Sequence, residues 1–214
     1  MDNQACSLCC YRDTRLFQAD RKREFFLCEG CGLVSVPEKY YLSEEDEKAR
    51  YDLHENNSDN KGYIDFLNNF VSVIRPYIKG LSSGLDFGSG PSPLLAGILS
   101  SLGYEISIFD PFYANDRSVP GKKFDFITLV EVLEHLKDPE REFKMLWECL
   151  NPGGVIGIKT KFLPEKKEEF PGWSYKNDLT HICFYSKLPF EWIAERFNAK
   201  LIFPADDIVL MFKT

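Results

Sequence analysis

Hydrophobic and polar positions change their spacing along the chain, and each change predicts a new element. From Tyr63 to Tyr77 the apolar residues fall at helical spacing, which predicts an amphipathic helix. Further along, short apolar runs alternate with helix-like segments. They predict strands at Leu85–Phe87, Tyr104–Asp110, Phe124–Val130 and Val155–Thr160, helices at Pro93–Leu102, Pro139–Leu150 and Leu188–Phe197, and a hairpin of Lys200–Phe203 with Ile208–Phe212. This alternation predicts an α/β fold around a mostly parallel sheet with right-handed crossovers.

Before these elements lies a charged, turn-rich segment, residues 37–62. Ser43 followed by acidic residues predicts a helix with a serine N-cap and a favourable charge in its first turn. Residues 56–62 read as a loop. We therefore expect a helical region, residues 37–80, that links the N-terminal segment to the first strand of the sheet.

The net charge and the lack of long apolar stretches disfavour nucleic acids and membranes as partners. The 214 residues carry a formal net charge of −7, which disfavours a phosphate backbone as the default partner. No apolar stretch is long enough for a membrane-spanning helix, and the first residues do not resemble an export signal. We expect a cytoplasmic protein that does not enter membranes.

Four of the seven cysteines form two C-x-x-C pairs, Cys6 with Cys9 and Cys28 with Cys31. Eighteen residues separate the pairs, within the spacing of structural zinc sites. Such a short segment holds few apolar residues, so metal binding is needed to order it. The cysteines predict a zinc-ribbon-like module at residues 1–36, with iron as the alternative metal. Cys10 is left over.

The stretch LDFGSGPSP places two glycines directly after the strand that ends at Phe87. Gly88 and Gly90 allow a ligand to approach the backbone closely at the edge where open α/β sheets bind ligands. Asp110 ends the next strand, where its carboxylate is placed to accept two ribose hydroxyls. A nicotinamide dehydrogenase is the alternative, but the third glycine of that fingerprint is absent.

The segments LDFGSGPSP, IFDPF, FDFITLVEVLEHLKDP and LNPGGVIGIKT, in this order, resemble class I S-adenosylmethionine-dependent methyltransferases of the branch with an EVLEH motif. The likeness covers about residues 60–214. It implies a Rossmann-like sheet of seven strands, mostly parallel, with an antiparallel last strand. Together with the boundaries above, it predicts a cofactor-binding domain at residues 81–214.

The resemblance also implies roles for the matching positions, with S-adenosylmethionine as cofactor. Asp86, Gly88 and Gly90 are expected at the methionine end, and Asp110 at the ribose. Pro111 and Phe112 are expected beside the adenine, and Val130 and Glu131 near the methionine or sulfonium. Only fourteen residues, 111–124, separate Asp110 from Asp125. That is short for the usual helix and strand, and Asp116 is the one acid there that fits the role of reading the adenine amine.

Three histidines are candidates for proton transfer to and from the methyl acceptor. His135 belongs to the EVLEH motif at the edge that faces the cofactor. His181 follows Asp178 by three residues within an aromatic insertion, so we predict that this carboxylate orients the imidazole. In this fold the segment before the first strand often covers the cofactor. Tyr51, His54 and Asn56 are candidates for that cover.

The function that these features predict is methyl transfer from S-adenosylmethionine to a small-molecule acceptor, with a structural zinc site. Two alternatives stay open. Five basic residues, Arg12, Arg15, Arg21, Lys22 and Arg23, make the N-terminal module locally basic, which keeps an RNA acceptor open. The other alternative is a zinc-bearing binding protein that has kept the fold and lost turnover. The sequence does not indicate the oligomeric state.

Overall fold

The computed structural model of the chain describes residues 5–53 and 59–214. The described residues form ten strands and five α-helices. The strands are β1 (Thr14–Ala19), β2 (Glu24–Cys28), β3 (Val34–Ser35), β4 (Ser83–Phe87), β5 (Glu105–Phe109), β6 (Phe124–Val130), β7 (Leu150–Lys159), β8 (Cys183–Phe184), β9 (Ala199–Ala205) and β10 (Ile208–Lys213). The helices are α1 (Glu44–Tyr51), α2 (Lys61–Ile74), α3 (Leu94–Ser101), α4 (Pro139–Cys149) and α5 (Lys187–Phe197).

The larger sheet has the strand order β5-β4-β6-β7-β10-β9. Strands β4, β5, β6 and β7 are parallel, while β10 runs antiparallel to both of its neighbours. The mostly parallel α/β sheet with an antiparallel strand at one side is therefore confirmed. Its apolar residues face both ways, as expected for a sheet covered by helices on two faces.

Helices α2 and α3 cover one face of this sheet and pack with Phe126 and Leu210 in one buried cluster. Helices α4 and α5 lie in the cluster on the other face, with Ile127 and Met211. Neighbouring residues of one strand, such as Phe126 and Ile127, thus point to opposite faces, which is the two-residue period of a strand. The sheet is fixed on both sides, and its strand ends are held in register.

The larger sheet has six strands in the described part of the chain, where the resemblance implied seven. Residues 111–124, which would hold the missing strand, form turns and one turn of 3-10 helix at Val119–Gly121 before β6 begins at Phe124. The physical reason is length, because a crossover between parallel strands needs a dozen or more residues before the strand itself. In place of a strand, the segment forms a turn in which the Asp116 carboxylate accepts hydrogen bonds from the Ser118 amide and hydroxyl.

The second sheet joins the N-terminal module to a distant part of the chain. Its order is β1-β2-β3-β8, and β8 comes from the aromatic insertion that follows β7. Val34 pairs with Phe184 and Ser35 with Cys183. The side chains of Val34, Cys183 and Phe184 belong to the same buried cluster as α4 and α5. The N-terminal module therefore packs directly against the remainder of the protein.

Helix boundaries differ from the predicted ones by a few residues. Ser43 caps α1 as predicted, and its hydroxyl accepts from the Asp46 amide at 3.1 Å. Pro93, predicted as the first residue of α3, occupies the N-cap position instead. Among the described residues no helix has the length and apolar character required to cross a bilayer.

Candidate active site

A cavity of about 620 Å³ opens at the carboxyl ends of β4, β5 and β6. This is the edge at which open α/β sheets bind ligands, and the volume lies within the range of about 300–1,000 Å³ that small-molecule sites occupy. The predicted residues that line it are Tyr51, Gly88, Gly90, Asp110, Pro111, Phe112, Val130, Glu131, His135, Asp178 and His181. The structure thus brings together most of the residues that the sequence pattern singled out.

The turn after β4 is open to a ligand because two of its glycines have left-handed backbone conformations. Gly88 has φ of +78° and Gly90 has φ of +64°. A Cβ on Gly88 would lie 2.4 Å from Cγ2 of Val132, whereas a Cβ on Gly90 would meet no atom within 4 Å. Between them, the Ser89 hydroxyl is buried and has no hydrogen-bond partner among the described residues. A buried hydroxyl in this position is a ready partner for a ligand.

Asp110 is held at the end of β5 by backbone amides rather than by a cation. One carboxylate oxygen accepts from Gly90 N at 2.9 Å, and the other accepts from Phe112 N at 2.9 Å and Tyr113 N at 3.1 Å. These bonds tie the glycine turn of β4 to the turn after β5. The carboxylate is nearly buried and still lines the cavity, as expected for a group that receives hydroxyl donors.

Asp86 lies behind the glycine turn and does not line the cavity. Its carboxylate is buried and accepts from the Thr128 hydroxyl at 3.1 Å. Burial raises the pKa of Asp86 to about 7. The structure therefore places Asp86 as a support for the strand end, behind the turn rather than at the cavity surface where the resemblance implied it.

Aromatic side chains form the wall beside Asp110. Pro111, Phe112 and Tyr113 follow it, and the Tyr51 ring of α1 lies 5.8 Å from the Phe112 ring. Asp116 does not line this wall, since its exposed carboxylate accepts from Ser118 and pairs with Lys122 at 3.1 Å. The acid proposed for the adenine amine is thus bound within its own turn. Asn56 and His54 lie outside the described residues.

Glu131 follows β6 in a strained conformation at the floor of the cavity. Its φ of +54° is rare for a residue other than glycine, and such strain is often found at functional sites. Burial, together with the nearby Glu134, raises the pKa of Glu131 to about 8. The raised pKa favours the protonated form, which is able to donate a hydrogen bond into the cavity.

A buried polar network supports this floor, and the sequence pattern gave no sign of it. Glu134 is fully buried and accepts from the Tyr175 hydroxyl at 2.5 Å and the Thr160 hydroxyl at 3.0 Å. Burial raises the pKa of Glu134 to about 7. Tyr175 also lines the cavity. The network links the EVLEH segment, the end of β7 and the aromatic insertion.

His135 and His181 stand side by side, with ring centroids 4.8 Å apart. Nδ1 of His135 lies 3.1 Å from the Thr180 carbonyl oxygen, and Nδ1 of His181 lies 2.8 Å from the Tyr175 carbonyl oxygen. A carbonyl only accepts, so each Nδ1 must carry the proton. In the neutral form each Nε2 then carries the free lone pair and is the atom able to accept a proton.

Asp178 lines the cavity but has a role different from the predicted one. Its carboxylate accepts from the Thr180 amide at 3.0 Å and hydroxyl at 2.8 Å, and Arg50 Nε lies 3.4 Å away. The Nδ1 partner of His181 is the Tyr175 carbonyl rather than this carboxylate. Because the turn of Ser174–Asn177 brings that carbonyl under the imidazole, the three-residue spacing does not set the orientation.

The two imidazoles are expected to stay neutral through the physiological range. Burial lowers the pKa of His135, and it lowers the pKa of His181 to about 3, with the neighbouring His135 adding to the effect. The ¹³C shifts of the imidazoles report protonation directly. We expect His181 to show no titration between pH 8 and pH 5, and His135 to titrate below the ordinary value of 6.5.

These shifts also predict how stability changes with pH. Because the folded pKa of His181 lies below the ordinary value of 6.5, the unfolded chain binds more protons in acid. The stabilising contribution is complete above pH 6.5 and is lost as the pH falls toward 3. Urea unfolding at pH 7 and pH 5 will show a larger loss for the native chain than for His181→Gln. Equal losses in the two proteins would contradict the shift.

The four predicted cysteines converge on one point in the N-terminal module. The Sγ atoms of Cys6 and Cys31 lie 3.6 Å apart, those of Cys9 and Cys28 lie 3.4 Å apart, and all four lie within 4.8 Å of one another. A tetrahedral ion with metal–sulfur bonds of about 2.3 Å places its sulfurs about 3.8 Å apart. The cluster therefore has the dimensions of a four-thiolate metal site.

Comparison with known proteins agrees with the fold. A family model described as a methyltransferase domain matches residues 54–202. An S-adenosylmethionine-dependent methyltransferase from Archaeoglobus fulgidus is 22% identical, with a TM-score of 0.51 over 64% of this chain and 69% of that chain. No curated protein matches the chain.

Two further solved structures share the fold at lower identity. Human N-acetylserotonin methyltransferase in complex with S-adenosylmethionine is 16% identical, with a TM-score of 0.56 over 80% of this chain and 56% of that chain. Magnesium protoporphyrin IX methyltransferase from Synechocystis is 13% identical, with a TM-score of 0.52 over 79% of this chain and 94% of that chain. At these identities the likeness extends to the fold and not to the acceptor.

Proposed function

The chain belongs to the methyltransferase-domain family, and from that premise we propose that it transfers a methyl group from S-adenosylmethionine to a small-molecule acceptor. The observation that supports this most is that one cavity holds both the residues suited to binding the methyl donor and the residues suited to accepting a proton. Asp110 and the glycine turn lie at one end, and the paired imidazoles of His135 and His181 lie at the other.

The residues at the Asp110 end fit the donor. The Ser89 hydroxyl has no hydrogen-bond partner in the described part of the chain, and the open side of Gly90 leaves room for a ligand. The Asp110 carboxylate is fixed by three amides. We propose that Asp110 accepts the ribose hydroxyls and that Phe112 packs beside the adenine. When bound, S-adenosylmethionine supplies a methyl group that is already activated as a sulfonium.

The chain's own contribution is then alignment and proton removal. A well-aligned reaction gains about 7–11 kcal/mol over the same reaction in free solution. Nε2 of His181 is the proposed proton acceptor, because its lone pair is left available by the Tyr175 carbonyl. Since burial lowers the pKa of His181 to about 3, this role requires an acceptor group that gives up its proton readily. The raised pKa of Glu131 makes it a hydrogen-bond donor at the same floor. His135 packs on His181 and keeps its ring in place.

We further propose that the four cysteines bind zinc in a structural role. The sulfur separations match a tetrahedral site, and four thiolates held this close repel one another unless a cation lies between them. The protein supplies four ligands, which leaves no coordination position for a substrate. Such a site stabilises the module and takes no part in the transfer.

The acceptor is proposed to be a small molecule rather than RNA. The described residues that line the cavity include no lysine or arginine, while several carry carboxyl groups. Phosphates are disfavoured by such a lining. In the N-terminal module Arg23 is buried, and Arg15 pairs with Glu29. Two of the five basic residues that favoured RNA therefore make contacts within the protein itself and are not free to bind phosphates.

Transfer of a labelled methyl group tests this proposal directly. The purified protein, loaded with zinc, is incubated with methyl-labelled S-adenosylmethionine and with separate fractions of small metabolites and of RNA. We expect label in the metabolite fraction and a reaction that His181→Gln suppresses. Label confined to RNA would support the alternative acceptor, and label in neither fraction would favour a protein without turnover.

Asp110→Asn should weaken the donor site without unfolding the protein. The amide group replaces one acceptor oxygen with a donor, which faces backbone amides that also donate. We expect S-adenosylhomocysteine to bind at least about tenfold more weakly, in line with the loss of a charged hydrogen-bond acceptor. Calorimetry measures the affinity. Asp116→Asn is the matched control, because that carboxylate lies outside the cavity and should leave binding unchanged.

A further inference from the structure

The loop of residues 176–181, which carries two residues of the acceptor end, is wrapped around one buried side chain of the N-terminal module. The Arg23 guanidinium donates to the carbonyl oxygens of His181 at 2.8 Å and Asp178 at 3.0 Å. It also donates to the carbonyl oxygens of Lys176 and, at 3.4 Å, Leu179. Arg23 is only 3% exposed. Four carbonyls of one loop therefore point inward at one cation.

The chemistry of this contact is specific to arginine. A guanidinium presents five N–H donors in a planar fork, whereas a lysine ammonium is a compact point charge. Each buried carbonyl left without a donor costs about 1–3 kcal/mol. A loop in which four carbonyls converge is thus stable in this conformation only while the guanidinium is present. The conformation of the loop depends on a residue more than 150 positions earlier in the chain.

With its carbonyls turned toward Arg23, the loop presents other groups to the cavity. The side chains of Asp178 and His181 line the cavity. The carbonyl of Thr180 in the loop holds Nδ1 of His135, and the carbonyl of Tyr175, the residue directly before the loop, holds Nδ1 of His181. The same loop backbone thus serves the guanidinium on one side and sets the imidazole tautomers on the other.

Further contacts attach the loop to the same module. Val36 N donates to the Ile182 carbonyl at 3.0 Å, directly after the pairing of β3 with β8. Lys176, which is itself buried, forms an ion pair with Asp20 at 3.2 Å. Phe25 of β2 lies edge-on to Phe170 at 5.0 Å between ring centroids. These contacts hold the loop against the N-terminal module. The hydrogen bonds from Arg23 are the ones that set the backbone conformation of the loop.

We propose that Arg23 is a positioning residue for the acceptor site, and that the N-terminal module forms part of the active site through it. The guanidinium holds residues 176–181 so that His181 faces the cavity with its proton on Nδ1 and its lone pair on Nε2. The catalytic importance of this arrangement rests on the proposed function. The attachment of residues 176–181 to Arg23, called the tether below, does not rest on that function, so the two are tested separately.

Arg23→Gln tests the tether, and Arg21→Gln is the matched control. Arg21 lies two residues away in the same turn and is exposed. The chain has only three histidines, so ¹⁵N- and ¹³C-labelled imidazoles give a simple spectrum. In the native chain and in Arg21→Gln we expect the Nδ1–H tautomer at His181. In Arg23→Gln we expect a mixture of tautomers at His181, with amide exchange at residues 176–182 at least about tenfold faster.

Arg23→Lys distinguishes positioning from general unfolding. It keeps the charge but not the fork, so we expect an intermediate tautomer ratio with full metal content. S-adenosylhomocysteine affinity, measured by calorimetry, should stay within about twofold of native in both variants, because the donor end lies on β4 and β5.

Native tautomer and native exchange in Arg23→Gln would overturn the proposal and leave the proposed function standing. Absence of S-adenosylhomocysteine binding in the native protein would instead count against the proposed function. If Arg23→Gln does not fold, a native spectrum in Arg23→Lys overturns the proposal.

Discussion

Cys28→Ser is expected to release the metal and to abolish methyl transfer, although the cysteine is far along the chain from the proposed base. Binding of a structural zinc ion contributes about 10–16 kcal/mol in small zinc modules, which exceeds the stability of most domains. Without the ion the four sulfurs that converge in the N-terminal module have no common partner. The module should then lose its fixed structure.

The effect is expected to spread because the module is not packed as a separate unit. Val34 and Ser35 pair with β8, and Arg23 holds the loop of His181. Loss of the module therefore exposes the aromatic insertion and frees the imidazole. Metal content by mass spectrometry, amide exchange over residues 170–184 and labelled methyl transfer measure the three steps. We expect transfer to fall at least about 100-fold, as for displacement of a catalytic group.

Cys10→Ser is the matched control for this experiment. Cys10 follows Cys9 directly but is exposed, and its thiol lies 3.6 Å from Glu140 rather than among the other four sulfurs. This variant should keep the metal, the exchange pattern and the activity. If Cys28→Ser retained native exchange over residues 170–184, the structural coupling between the two regions would be refuted.

Gly88→Ala is expected to remove donor binding while leaving the sheet intact. The new Cβ would lie 2.4 Å from Cγ2 of Val132, and φ of +78° costs a residue with a Cβ about 1–2 kcal/mol. The turn must move, and Gly90 moves with it. Because the displaced turn loses its hydrogen bonds to the ligand, we expect S-adenosylhomocysteine affinity to fall at least about tenfold by calorimetry.

Two companion variants separate the causes of this loss. Gly88→Ala combined with Val132→Ala removes the collision but not the backbone strain, and should recover only part of the affinity. Gly97→Ala is the matched control, because Gly97 lies in α3 with nothing within 4 Å of its Cβ position. That change should leave binding unchanged and stabilise the protein by about 0.5–1 kcal/mol. Equal losses in Gly97→Ala and Gly88→Ala would contradict the role of the turn.

The sequence pattern predicted the parts of the fold that local spacing determines. Phe124–Val130 is a strand with the predicted limits, and the two C-x-x-C pairs meet in space. Gly88 and Asp110 meet because the carboxyl ends of neighbouring parallel strands lie at the same edge. Each of these features depends on a few consecutive residues or on a rule of topology.

The features that the pattern missed depend on contacts between distant segments. No local signal indicates that Arg23 reaches residues 176–181, or that β3 pairs with β8. The buried Glu134 is equally hidden, since its partners Tyr175 and Thr160 come from other elements. The aromatic residues around 170–185 indicate a buried segment, but composition does not indicate that this segment packs against the N-terminal module.

One measurement tests the central claim most directly, namely that the cavity between Asp110 and the imidazoles receives the methyl donor. It is a calorimetric titration of the metal-loaded native protein with S-adenosylhomocysteine. The geometry predicts saturable binding of one molecule per chain. Absence of binding at millimolar ligand, in a protein with native amide exchange and full metal content, would contradict it.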